Sequence, residues 1–193
     1  ELYETDRWEL TPGGRYFVMR NHSSVISFKI PERAQKNTGF LITASHADSP
    51  SLKIKENPEM KTGEYFIKLN VERYGGMLMA PWFDRPLSAA GRAVVRNKDE
   101  NGTCRLEERL VNIDRDLLLI PSLAIHMDRD VNAGHSYSVQ TEMCPIFGDE
   151  NASGKFREIV AANAGVSEPD LLSYDLFLYN RDRASIWGAS EEY

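Results

Sequence analysis

The chain has 193 residues, 41% of them hydrophobic and 27% charged, and a net charge of −6. That composition suits one large or two small globular domains and argues against disorder. The acidic balance, with Lys and Arg scattered, argues against a binder of phosphate backbones.

No apolar run approaches the ~18 residues that cross a bilayer. The longest candidate, residues 117–127, is broken by Pro121, Ser122 and His126. The start, Glu1-Leu2-Tyr3-Glu4, is acidic and has no apolar signal core. Cys104 and Cys144 form no Cys-x-x-Cys pair, which points to free buried thiols in a reducing compartment. The expectation is a cytoplasmic protein that engages neither membrane nor nucleic acid.

Residues 8–14 carry turn formers. Residues 16–19 and 25–30 read as strands joined by a polar hairpin connection that includes His22. Residues 31–37 are polar and expected exposed. Residues 40–45 form a short apolar run before His46-Ala47-Asp48-Ser49-Pro50, the pattern of a third, fully buried strand.

After Pro50 the texture changes. Residues 52–55 and 65–72 alternate, with Tyr65, Ile67, Leu69 and Val71 on one face. Residues 92–96 and 105–111 are further strands around the turn dipeptide Asn101-Gly102. Residues 117–120 are a buried run. The Pro121 that closes it predicts one helical turn over 122–129, and 130–139 reads as a surface loop. In residues 155–164, Phe156, Ile159, Val160 and Asn163 recur at helical spacing before Gly165. Residues 171–179 are a strand with Leu172, Tyr174, Leu176 and Leu178 on one face, and 180–183 a turn. The stretch after Pro50 reads as a mainly β module inserted behind the third strand.

Strands often deliver functional groups at their C-terminal ends. The His46-x-Asp48 spacing lets an imidazole bind a metal through one nitrogen while a carboxylate takes the N–H of the other. A partly exposed histidine is the plainer alternative. Catalytic zinc takes about three protein ligands, and His22, His126 and His135 form no ligand cluster with His46 in sequence. By residue count the metal site is incomplete. Tyr74-Gly75-Gly76 offers positive φ, and Trp82-Phe83-Asp84-Arg85 suits an interface anchor or a packed loop. There Asp84 could pair with Arg85 or with a backbone N–H. His126 read alone is a core or edge histidine, and Glu191-Glu192 a solvated pair. No phosphate loop and no Gly-x-Ser-x-Gly elbow supports a nucleotide site or a serine hydrolase.

Taken together, several segments resemble the aspartyl aminopeptidases. They are Pro12-Gly13-Gly14-Arg15-Tyr16-Phe17, His46-Ala47-Asp48-Ser49-Pro50, Tyr74-Gly75-Gly76, Trp82-Phe83-Asp84-Arg85, Ile120-Pro121-Ser122-Leu123-Ala124-Ile125-His126, Cys144-Pro145-Ile146 and Asp175-Leu176-Phe177-Leu178. The resemblance implies an α/β fold: the first strands of a zinc-peptidase α/β sandwich domain, with an inserted, mainly β lid or dimerisation domain. Residues 1–49 would belong to the peptidase domain, 50–187 to the lid, and 188–193 to the return. It implies zinc, two ions per complete active site, with His46 as a ligand and Asp48 holding its imidazole. His126 would reach substrate in a neighbouring subunit's site. The implied substrates are peptides with N-terminal Asp or Glu, and the implied assembly is a homo-oligomer of dimers building a dodecamer. The family's remaining ligands and its catalytic Glu have no counterpart in this chain. The expectation is therefore an N-terminal portion, inactive as isolated residues 1–193. Two alternatives stay open: a non-catalytic oligomerisation module, and a metallopeptidase of other specificity.

Overall fold

The computed structural model describes residues 1–21, 23–33, 39–98 and 102–190. His22, most of the polar stretch 31–37, Asn101 and Glu191-Glu192-Tyr193 lie outside the described residues. The chain divides into two compact units, Glu1–Ser49 and Pro50–Tyr193.

In the first unit, β1 (Arg15–Arg20) and β2 (Ser24–Lys29) form the expected antiparallel hairpin, from Arg15↔Lys29 to Arg20↔Ser24. Asn21 takes φ 51 in the turn, a value that Asn tolerates better than most residues. Trp8, Tyr16 and Phe28 gather their rings beside the hairpin. Val18 is the one buried hydrophobic residue described in this unit.

The third strand expected over 40–45 is not formed. Residues 39–50 carry no regular structure and are exposed throughout. A strand needs a ladder partner, and among the described residues β1 and β2 pair with each other and, through a single bridge, with Leu2, not with this run. Phe40, Leu41 and Ile42 are 96%, 100% and 81% exposed.

The second unit is a six-stranded sheet built from β3 (Ser51–Thr62), β4 (Phe66–Tyr74), β5 (Leu87–Lys98), β6 (Cys104–Asn112), β7 (Ile146–Asp149) and β8 (Leu171–Asn180). Its order is β6-β5-β8-β3-β4-β7, and every pairing is antiparallel. Period-two alternation turns one face inward. Leu52, Ile54, Leu69, Val71, Leu87, Ala93, Val95, Leu176 and Leu178 are all buried there. Helix α1 (Lys155–Asn163) lays Phe156, Val160 and Ala161 on that core, and Gly165 at φ +69 ends it as expected. Residues 117–120 supply buried Leu118 and Ile120, but Leu119 points out and the run pairs only through single bridges. The helical turn expected over 122–129 is only a bend at 125–127, closed by Met127 N–H to Ala124 O at 2.8 Å. Cys144 is buried, whereas Cys104 is exposed, against the expectation of two buried thiols.

Two register shifts shape the sheet. Between Val94 and Val95 the pairing with β8 slips, so Leu171 is buried and Leu172 only half-buried. Between Ile54 and Glu59 β3 bulges, and Pro58 sits in the bulge, where its missing N–H costs no ladder bond. Tyr174 donates its hydroxyl to the bulge carbonyl of Glu56 at 2.6 Å. Burial pushes its phenol up to about 12. The other sheet face is wet. Lys53 meets Asp175 at 2.8 Å, and Arg92 lies 3.7 Å from Asp175 and 3.6 Å from Glu108.

The bulge also aims Glu59 at α1. Its carboxylate accepts the backbone N–H groups of Gly154 and, at 2.8 Å, Phe156. The N-cap residue is Gly154 and has no side chain to do this. At the other end, Arg109 of β6 donates to the carbonyl of Ala164 at 2.9 Å. A carboxylate at the N-terminus and a guanidinium at the C-terminus both favour the helix dipole.

Replacing Glu59 with Ala is expected to cost about 1–2 kcal/mol in urea unfolding, and Glu59→Gln less, because the amide oxygen still accepts. Gly91 lies where β5 crosses β8. A Cβ there, at φ +158, would fall 2.1 Å from the carbonyl oxygen of Asp175. Gly91→Ala should therefore lower the unfolding midpoint by the equivalent of roughly 3 kcal/mol.

Candidate functional site

His46 and Asp48 are brought together as their spacing suggests. Nδ1 of His46 lies 2.9 Å from the backbone carbonyl oxygen of Asp48 and 3.3 Å from its Oδ1. Both neighbours are acceptors, so Nδ1 carries the proton in the neutral ring and Nε2 keeps its lone pair. The side chains are 80% and 56% exposed. Ser49 precedes proline and is thereby steered to extended backbone. The chain then enters β3, whose first residue, Ser51, donates to Leu178 O at 2.6 Å. His46 is one donor only. Among the described residues, no group of three or more His, Cys, Asp or Glu side chains could hold a metal ion. One imidazole with a free Nε2 and a fastened Nδ1 fits a zinc ligand by its chemistry, but as part of a set.

His126 lies in the second unit, on the exposed bend at 125–127. Among the described residues, no hydrogen bond or ion pair engages its ring.

The loop before β5 supplies what holds this segment. Asp84 adopts φ 58, rare outside glycine. Its N–H donates to Ile120 O at 2.9 Å, and its Oδ1 accepts the N–H of Ser122 at 2.8 Å. Of the two partners weighed for Asp84, the backbone N–H is the one found. Arg85 approaches Asp182 instead, at 4.0 Å. The hydrogen bonds from Ser122 hold the Asp84 carboxyl below the usual carboxylate range. Trp82 and Phe83 pack against the core, the packed-loop alternative within this chain. Gly75 takes φ +77, and a Cβ there would meet Pro50 at 3.4 Å.

A cluster the sequence did not flag lies further on. His135 sits between Asp128 Oδ2, 3.2 Å from Nδ1, and Glu142 Oε1, 2.6 Å from Nε2. Its side chain is 25% exposed. Glu142 also accepts Ser138 N–H at 2.6 Å, and that backbone bond leads the causes that lower its carboxyl. Tyr137 meets the His135 ring edge-on at 4.7 Å and faces Phe83 at 5.1 Å. Three residues spread over a polar loop give no periodic pattern, so only the folded loop reveals them.

The family profile described as "Aminopeptidase I zinc metalloprotease (M18)" matches residues 1–193. The chain belongs to this family. It is 42% identical over 197 residues to a probable M18 family aminopeptidase 2 of Clostridium acetobutylicum, covering all of this chain and 45% of that protein. Among solved structures it resembles Chaetomium thermophilum mApe1, with 32% identity, a TM-score of 0.81, and coverage of 99% of this chain and 46% of the other. It also resembles the S. cerevisiae mApe1 dodecamer, with 25% identity, a TM-score of 0.70, and coverage of 98% and 43%. This M18 chain thus spans under half the length of the curated relatives it matches. No helix among its described residues is long and apolar enough to cross a membrane.

The tether on Ser122 has a pH signature. A depressed folded pKa means the bond contributes above the unfolded Asp value of about 3.9 and is lost as pH falls through the lower folded value. The amide proton shift of Ser122 should titrate with a midpoint below that of an ordinary Asp, and Asp84→Asn should abolish the titration.

Proposed function

We propose that the whole protein is a zinc metalloaminopeptidase that removes N-terminal Asp or Glu from peptides. Residues 1–49 are read as part of its peptidase domain, residues 50–187 as the lid or dimerisation domain, and 188–193 as the return. The observation that carries this reading is the fastened imidazole of His46 in a chain matched by the M18 family from end to end.

His46 would hold zinc through Nε2, with Asp48 fixing ring direction and tautomer from behind. When bound, zinc supplies Lewis acidity toward a peptide carbonyl and acidity to water, and a complete site of this type holds two ions. The residues of this chain do the holding and positioning. Asp48 keeps the proton on Nδ1, so that His46 cannot turn the wrong nitrogen to the site. His126, exposed on its bend, contacts substrate in the active site of a neighbouring copy. Homo-oligomerisation is part of the reading, because that residue needs a second subunit. The dodecameric yeast relative supports it. A cytoplasmic location accords with two free cysteines.

The bare apolar run at 40–42 also favours the peptidase-domain reading. A unit of 49 residues with one buried hydrophobic residue described is far from a self-sufficient core. Burying Phe40, Leu41 and Ile42 as a strand against further sheet would contribute about 1.5–3 kcal/mol for each side chain.

The test uses the full-length enzyme and a panel of aminoacyl peptides. Release of N-terminal Asp or Glu, lost with chelator and restored by zinc, is expected. His46→Ala should strip zinc and activity together, and Asp48→Asn should weaken zinc affinity by about 10–100-fold. His126→Ala should lower activity with zinc content unchanged; loss of zinc there would place it among the metal ligands instead. Isolated residues 1–193 should release nothing. Equal turnover of neutral N-terminal residues would reject the acidic specificity.

A further inference from the structure

Residues 122–142 leave the core after Ile120 and come back to it at Met143 and Cys144, both buried. Between those points the chain forms no strand, and its one helical piece is the single 3-10 turn Val131–Ala133. A stretch of this length without its own secondary structure is uncommon in a compact domain unless it serves a function. Left to itself it would sample many conformations, because few of its residues are buried and few of its backbone bonds are shielded. His126 stands on this arm.

Tyr137 and Val139 pack against the core, and two polar fastenings restrain the rest. At the base, Asp84 grips the chain on both sides of Pro121: its N–H reaches Ile120 O and its carboxylate reaches Ser122 N–H. It does so from left-handed backbone, φ 58, a conformation that persists only where the surroundings impose it. At the return, His135 faces an acidic oxygen from each ring nitrogen. Asp128 comes from the outgoing limb and Glu142 from the incoming one, so the three close the arm into a ring. Glu142 is itself fixed by Ser138 N–H, which keeps its carboxylate pointed inward. The two fastenings are joined, because Phe83, next to Asp84, contacts Tyr137, which contacts His135.

We propose that Asp84 and His135 are positioning residues that fasten the two ends of the 122–142 arm and thereby hold His126 where it meets substrate. The proposal rests on the reading that His126 contacts substrate. Neither residue touches substrate itself. Their effect is on the fraction of molecules in which His126 is presented. An apparent dissociation constant rises in inverse proportion to that fraction.

The experiment is done on the full-length, zinc-loaded enzyme with an Asp-peptide substrate. Asp84→Ala and His135→Ala should each raise KM about tenfold, with a smaller change in kcat. Zinc content and oligomer size should stay unchanged. Asp84→Asn should recover most of the loss, since its amide oxygen still accepts from Ser122 and Asn tolerates the left-handed backbone. His135→Gln should recover part, keeping a donor for one carboxylate. In the His126→Ala background, Asp84→Ala should add little, because the two act through one contact. Hydrogen exchange across 122–142 should quicken in both alanine variants and stay native in Asp84→Asn.

Unchanged exchange in the arm, with His126→Ala still impaired, would overturn the proposal and leave the substrate role of His126 standing. An Asp84→Ala effect that persists at full size in the His126→Ala background would also overturn it, assigning Asp84 to general stability. Faster exchange with a kinetically silent His126→Ala would reject the reading of His126 and the positioning role with it.

Discussion

The second unit depends on where β8 lies. This strand, last in sequence, runs between β5 and β3 and turns two separate hairpins into one sheet. Its inward residues, Leu171, Tyr174, Leu176 and Leu178, fill the middle of the buried face. The approach to β5 is so close that only glycine fits at position 91. Helix α1 then has one place to lie, over that face. Glu59 and Arg109, from strands on opposite sides of β8, hold its two ends with the charges its dipole favours. Burial supplies most of the stability of such an arrangement. The paired charges fix direction, since each meets unsatisfied backbone groups at one particular helix end.

From that platform the loops inherit their geometry. The chain enters β5 through Asp84-Arg85-Pro86, so the position of β5 fixes where Asp84 stands. Leu87 exchanges backbone bonds with Leu118 and Leu117, which brings residues 117–120 alongside. Ile120 is buried and Ser122 is exposed, so Pro121 marks the place where the chain leaves the core. The tether of Asp84 on either side of that proline is therefore a consequence of the sheet. The bend that carries His126 follows from the same packing that places β5.

What the sequence made legible was whatever repeats with a period. The helix from Lys155, the hairpin of the first unit, β4, β6 and β8 formed nearly where expected; β3 and β5 run well beyond the expected 52–55 and 92–96, and the short strand β7 was not foreseen, because four residues are too few to show a period. The near misses have local causes. Leu172 was assigned to the inward face because alternation was carried through a bulge at Val94 and Val95 that no residue pattern marks. The turn over 122–129 was inferred from Pro121, yet nothing in that segment repeats apolar residues along one face, so only a single bend forms. In the candidate site, His46-x-Asp48 was readable because its partners are two residues apart. The cluster of Asp128, His135 and Glu142 was not, because ring closure across a loop leaves no trace in spacing.

The disagreement at residues 40–45 is of another kind. A run such as Phe40-Leu41-Ile42 records selection for burial, and burial is a property of the surroundings as well as of the segment. Hydrogen-bond pairing is stricter still, since a strand exists only beside another strand. The hairpin β1–β2 is paired within itself, and the run lies along neither of its edges in this structure. The same argument applies to the histidine that follows. Nε2 of His46 has a direction and a lone pair because Asp48 fixes the opposite nitrogen, but a single donor makes no metal centre. Segment and side chain are incomplete in the same sense: each has the chemistry for a neighbour, the run for a sheet and the imidazole for further ligands.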